Sequence, residues 1–170
     1  FSPDRRKAAI YNMIYPPDLS VVDLDGGQVT QNIFDHYERQ LFRFTFSECA
    51  SMIATTASYD HEACLWDIAS QRKRHSFVSR GQNLRYNDIA FSPDGRLTAA
   101  ASQDGYMRVW STQTGGLVYT SPKQSTSVKR VLFSPNGDFV ASFTNKKSGI
   151  GSGTASHDNL IRLVPTEQMG

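Results

Sequence analysis

Short runs of aromatic and β-branched residues, divided by polar turns, pattern most of this chain. Leu41-Phe42-Arg43-Phe44-Thr45-Phe46 and Tyr86-Asn87-Asp88-Ile89-Ala90-Phe91 alternate, or are rich in the side chains that strands favour. After the second of these comes Ser92-Pro93-Asp94-Gly95, a tight-turn sequence in which Pro presets φ and Gly is free to take positive φ. Strands of smaller residues follow, over Ile53 to Ser58 and Leu97 to Ser102. Short turns then lead into Glu62 to Ile68 and Tyr106 to Ser111. No ten-residue window carries a helical stripe, so the pattern predicts an all-β chain.

The runs recur in phase. Phe1, Phe46, Phe91 and Phe133 are each followed by Ser and stand 45, 45 and 42 residues apart; Pro and then Asp or Asn complete the copies at Phe1, Phe91 and Phe133. A second marker, Val22-Asp23, Trp66-Asp67, Trp110-Ser111 and Val164-Pro165, recurs at intervals of 44, 44 and 54. A third is the Asp six residues before the last three of these, at Asp60, Asp104 and Asp158. A period of about 40–45 residues is that of a four-stranded propeller blade. Small side chains in one strand let neighbouring blades approach, and Trp in the next fills the space between them.

These residues resemble the WD-repeat family, whose units run from a Gly-His pair through a Phe-Ser-Pro-Asp-Gly turn to a Trp-Asp pair. The resemblance spans nearly the whole chain, with Trp66-Asp67 its one complete Trp-Asp pair. It implies a β-propeller of four-stranded antiparallel blades, with strands a to d running outward from the axis. The expected division is a partial first blade over 1–34, a second over 35–79, a third over 80–121 and a fourth over 122–170. Propellers typically close with four to eight blades, and seven is commonest in the family. Three and a half blades, opening inside a blade at Phe1, therefore predict part of a larger ring. Further blades of the same parent protein, or a second chain, would complete it.

In that family a His before strand a, a Ser or Thr in strand b, an Asp in the next turn and the Trp form a buried hydrogen-bonded set. Carried over by residue, the second blade offers His36, Ser58, Asp60 and Trp66. The third offers Gln82, Ser102, Asp104 and Trp110, and the fourth Gln124, Ser156 and Asp158, with Val164 unable to donate where Trp would stand. Such sets are scaffold, because a buried carboxylate must be hydrogen-bonded to be tolerated. The fourth blade is accordingly expected to be the least rigid.

The resemblance also places partner contacts on the face carrying the d–a and b–c loops. The residue before each turn Asp gives Tyr59, Gln103 and His157, and the start of each strand a gives Gln40, Arg85 and Ser127. Tyr and Arg are the commoner binding anchors, which favours Tyr59 and Arg85. The b–c loop of the fourth blade is longer than the others: Phe133 to Val164 spans 31 residues against 20 and 19 in the second and third blades. The excess falls in 145–153, a Gly/Ser segment carrying Lys146 and Lys147, which reads as a projecting loop, either a tolerated surface insertion or a contact for an acidic partner or phosphate group.

Charge and composition narrow the chemistry further. A net charge of +2 and two short basic clusters, without aromatics interleaved on a basic face, argue against nucleic acid. The longest apolar runs are too short for a membrane helix. No nucleophile and base, paired carboxylates or metal-ligand spacing stands outside the repeat sets, so no catalytic residue, metal or cofactor is expected. Cys49 and Cys64 lack a CxxC spacing and read as reduced thiols of a cytoplasmic or nuclear protein. The expected function is an interaction scaffold, a subunit of a multiprotein complex that binds other proteins or peptides. The alternative is a regulatory or sensor propeller within a larger enzyme or signalling ATPase.

Overall fold

A computed structural model describes residues 1–12, 18–27, 29–30, 41–57, 62–78, 85–145 and 159–169. They form four antiparallel sheets, each made of strands consecutive in the chain. The first contains β1 (Lys7–Asn12), β2 (Asp18–Asp23) and β3 (Val29–Thr30). The second is β4 (Leu41–Phe46), β5 (Met52–Ala57), β6 (Glu62–Asp67) and β7 (Arg72–Val78). The third repeats that order with β8 (Tyr86–Phe91), β9 (Leu97–Ser102), β10 (Met107–Ser111) and β11 (Leu117–Thr120). The fourth is β12 (Val128–Phe133), β13 (Phe139–Asn145) and β14 (Asn159–Pro165), ending in a single 3₁₀ turn over Thr166–Met169.

Register explains why the Phe and Trp markers keep one phase. Phe46 and Trp66 flank Ile53 on one rung of the second sheet, and Phe91 and Trp110 flank Thr98 on the third. Phe133 and Val164 flank Val140 in the same way on the fourth. A residue inserted between the markers would flip one strand's faces relative to the next, so burial on both faces enforces the spacing.

The turn after each Phe-Ser is built alike. The Ser2, Ser92 and Ser134 hydroxyls each accept the backbone N–H five residues on, at 2.8, 2.9 and 3.0 Å, and donate to Asp4, Asp94 and Asn136. Ser47 makes the same bond to the N–H of Met52 at 3.0 Å, with Cys49 in the acid's place. The next position is left-handed in all four copies: Arg5 (φ 59°), Ala50 (φ 53°), Gly95 (φ 71°) and Gly137 (φ 79°). Glycine adopts that conformation freely, whereas Arg5 and Ala50 hold it against the Cβ clash.

The sheets pack face to face through three apolar clusters. Leu19 and Val21 of the first sheet meet Leu41, Ile53 and Trp66 of the second. Ala54, Leu65 and Phe77 of the second meet Tyr86, Ile89 and Trp110 of the third. Ala99, Ala101 and Val109 of the third meet Val128, Val131 and Val140 of the fourth. Consecutive alanines of β9 thus serve opposite interfaces, Ala100 toward the second sheet and Ala99 and Ala101 toward the fourth. Strands buried on both faces carry near-continuous apolar runs, while the outer β7 and β11 are mostly exposed. Among the described residues no cluster joins the fourth sheet to the first, which is the arrangement of a partial ring of propeller blades.

Candidate partner-binding surface

The turn joining β9 to β10 stands at the centre of the described loop face. Its carboxylate, Asp104, receives a 2.6 Å hydrogen bond from Nη2 of Arg108 and a 3.1 Å bond from the Tyr106 N–H. Both charged side chains are largely buried, 11% and 13% exposed. Burial alone would raise the Asp104 carboxyl, but the bonds from Arg108, Ser102 and the Tyr106 N–H outweigh it and hold it below its ordinary value. Burial likewise works against the Arg108 charge, and Asp104 overcomes it, raising the guanidinium above its usual value. The guanidinium also lies 5.1 Å from the centre of the Tyr106 ring, within cation–π range.

Around this turn the chain comes close to its neighbours. The N–H of Gln103 donates to the carbonyl of Arg85 at 2.9 Å, which joins the third blade's b–c turn to the start of its strand a. The N–H of Gln124 donates to the carbonyl of Gly105 at 2.9 Å, and a Cβ on Gly105 would lie 2.8 Å from the Gln124 carbonyl oxygen. With φ at +90° as well, glycine is required there on both counts. The amide of Asn87 donates to Ser127 Oγ at 2.8 Å and to the Val128 carbonyl at 2.7 Å, carrying the connection into the fourth blade. Of the expected contacts, Arg85 and Gln103 therefore meet through one backbone hydrogen bond and Ser127 meets Asn87, two residues beyond Arg85, with Gln103 exposed and Arg85 and Ser127 half-buried. Gln40, Tyr59, His157, Lys146 and Lys147 lie outside the described residues, as does most of 145–153.

The expected hydrogen-bonded sets are described only in part. His36, Ser58, Asp60, Gln82, Ser156 and Asp158 lie outside the described residues. In the second blade Trp66 Nε1 donates to Thr55 Oγ1 at 2.9 Å, a strand-b hydroxyl the repeat markers do not single out. The same position on the fourth blade is Ser142, whose hydroxyl accepts from Gln124 Nε2 at 2.9 Å. The third blade has Ala100 there, which offers no hydroxyl. Trp110 stacks on Phe77 at 4.5 Å between ring centroids and meets Tyr86 edge-on at 5.9 Å. Ser102 and Asp104 do come together, through the Asp104 N–H on Ser102 Oγ at 3.4 Å, but the cation they serve is Arg108. Arg108 was legible only as a basic residue four places after Asp104, a spacing with no special meaning on a strand.

Among the described residues no three His, Cys, Asp or Glu side chains gather as a metal site requires, and no helix is long and apolar enough to cross a membrane. No disulfide joins Cys49, exposed in a turn, to Cys64, buried in β6.

Radial antiparallel blades, the Phe-to-Trp rung and the Ser-Pro-Asp-Gly turn together define a β-propeller of the WD-repeat type. Residues 74–111 match the model of the WD domain, G-beta repeat, and the sheets before and after this stretch repeat the same antiparallel order. It is 33% identical over 129 residues to telomerase protein component 1 of Mus musculus, which covers 75% of this chain and 4% of that protein. It is 27% identical over 152 residues to autophagy-related protein 16 of Arabidopsis thaliana, covering 89% of this chain and 27% of the relative. It is also 30% identical over 113 residues to eukaryotic translation initiation factor 3 subunit I of Emericella nidulans, covering 66% of this chain and 32% of that subunit. The chain thus spans less than a third of the length of each of these relatives.

Proposed function

We propose that this chain is a non-catalytic interaction module, which binds other proteins through the face carrying the 103–106 turn and the 121–127 segment. The observation that carries the reading is a pair of hydrogen bonds, Gln103 N–H to the Arg85 carbonyl and the Asn87 amide to Ser127, which bring these positions close together across two blades. These bonds hold the backbone that carries an exposed Gln and a half-buried Arg beside the Asp104–Arg108 pair, and a backbone ordered before binding has less entropy to lose. The matched relatives include a protein named as a subunit of a translation initiation factor, which supports a place within a multiprotein assembly. The reading puts the protein in the cytoplasm or nucleus and needs no cofactor.

The test is site-specific photo-crosslinking in cell extract, with the crosslinker at residue 103 and, for comparison, at residue 71 on the opposite end of the second blade. Discrete protein adducts are expected from 103 and not from 71, and Arg85→Ala should reduce them several-fold. Equal adducts from both positions, or adducts indifferent to Arg85→Ala, would overturn the reading.

A further inference from the structure

The three innermost strands carry charge at one repeated position. Arg43, Asp88 and Arg130 each stand three residues before the marker phenylalanine of their blade. In each strand the pairing register shifts just before that residue, between Leu41 and Arg43, Tyr86 and Asp88, and Val128 and Arg130. Bulges of this kind re-aim a side chain out of the regular pleat. β8 packs against β4 on one side and β12 on the other, so the three positions are neighbours around the axial side of the sheets.

Asp88 is the hinge of the group. Its Oδ2 accepts the N–H of Val131 at 3.1 Å, and its Oδ1 lies 3.7 Å from Nε of Arg43. Its side chain is 12% exposed, whereas that of Arg43 is 43% exposed and Arg130 is also exposed. The Arg130 charge acts on the same carboxylate from the neighbouring strand, and among the described residues Arg43 has no second ion pair and Arg130 has none. Arg43 therefore pairs with a carboxylate one of whose oxygens is already committed to a backbone N–H, while Arg130, next to Val131 on the adjacent strand, stands near that carboxylate without pairing with it. Each guanidinium offers five donors in a planar fork suited to a carboxylate. One added carboxylate would bring the group to neutrality. Lys129, exposed beside Arg130, adds to the positive field.

We propose that Arg43 and Arg130, held on either side of Asp88 on the innermost strands, form a carboxylate-binding site that receives an acidic segment of a partner protein. The inference deepens the interaction-module reading by giving the partner a chemistry, and it rests on that reading. Asp88 is a positioning residue, since it orients Arg43 and pins β8 to β12. The two arginines make the contact.

The test uses the full chain and a fluorescein-labelled peptide of alternating Gly and Glu, with the Gly/Gln peptide of equal length as control. In low salt the Glu peptide should bind and the Gln peptide should not, with affinity falling steeply as salt is added. Arg130→Gln removes an exposed side chain with no ion pair of its own, so the fold should survive, and affinity should fall about tenfold, the loss of about 1.4 kcal/mol expected for one charge-assisted pair. Arg96→Gln, at an exposed arginine of a turn on another face, should leave affinity unchanged. Equal binding of both peptides, or equal weakening by the two substitutions, would overturn the site. Displacement of the peptide by inorganic phosphate at or below the peptide's own concentration would overturn the assignment to a protein carboxylate. Crosslinking from residue 103 fails or succeeds independently of these measurements, so the two readings can be separated.

Discussion

The third and fourth blades share one geometry and differ in what holds it. Both place a phenylalanine, a strand-b residue and a strand-c residue on a common rung, Phe91–Thr98–Trp110 in one and Phe133–Val140–Val164 in the other. In the third, Trp110 stacks on Phe77 across the interface, β11 covers the outer edge of β10, and Arg108 neutralises Asp104. In the fourth, valine stands on the rung, and no strand covers the outer edge of β14 among the described residues. Ile161 and Leu163 of β14 are 56% and 64% exposed, flanking a shallow groove of about 410 Å³ shared with Lys123 and Gln124. The fourth blade leans on the third for polar anchoring, through Asn87 to Val128, Asp88 to Val131 and Gly105 to Gln124. A blade's shape thus follows from marker phase, whereas its stability depends on which side chains occupy the markers.

Substitution on the rung gives the largest contrast. Trp110→Ala should cost about 3–5 kcal/mol in urea unfolding, because it empties a stacked site between two blades. Val164→Ala removes far less buried volume and should cost roughly half as much or less. Equal losses would mean that the rung bears the same load in both blades.

Next in size is the turn acid. Asp104→Ala leaves the largely buried Arg108 uncompensated and should cost about 3 kcal/mol. Asp138→Ala, at an exposed carboxylate whose side chain meets the Asn136 amide, should stay within about 0.5 kcal/mol. Coincident denaturation midpoints would remove the distinction between a braced turn and an ordinary one.

Two acids of the third blade, Asp104 and Asp88, should also respond to pH in opposite senses. Asp104 is held below its ordinary value, so its stabilisation is fully present above the usual carboxylate range and is lost as pH falls through its folded pKa. Asp88 is shifted the other way: burial outweighs the Val131 N–H and the two arginines, so the fold disfavours its charge. Its penalty applies above its folded pKa and is relieved as pH falls through it. Melting curves between pH 7 and pH 3 should therefore show Asp104→Asn lowering the neutral-pH midpoint and flattening the acid limb. Asp88→Asn should leave the neutral midpoint unchanged or higher, since an amide oxygen can still accept from Val131. A fall at pH 7 as large as that of Asp104→Asn would contradict the assigned directions.

The smallest expected effect separates the first two blades from the last two. Ala50→Gly should stabilise by about 0.5–1 kcal/mol, because the left-handed strain it relieves exceeds the added freedom of the unfolded chain. Gly137→Ala, at the matching turn of the fourth blade, should destabilise by a similar amount. A loss of stability in Ala50→Gly would show that the turn's strain is taken up elsewhere.

The blades were legible because burial between neighbouring sheets forces the markers into phase, and phase survives even where Trp becomes Val. The turns were legible from Ser, Asp and Gly, but Ala50 and Arg5 in the left-handed position were not, since nothing in their residue type asks for it. The expectation that Arg85, Gln103 and Ser127 share one face came from the family resemblance. That Asn87 ties Ser127 to the third blade required the two blades side by side.

By itself the chain determined the strand order, the blade type and the phase of its repeats, because these depend on side-chain periodicity and local turn chemistry. Tertiary structure alone decided the polar partners: Trp66 with Thr55, Gln124 with Ser142, Asp104 with Arg108, and Asp88 between Arg43 and Val131. The last of these pairings crosses three blades, with partners more than 40 residues apart. Hydrogen bonds and ion pairs act over a few ångströms, and no spacing along one strand reveals which atoms a neighbouring blade will bring that close.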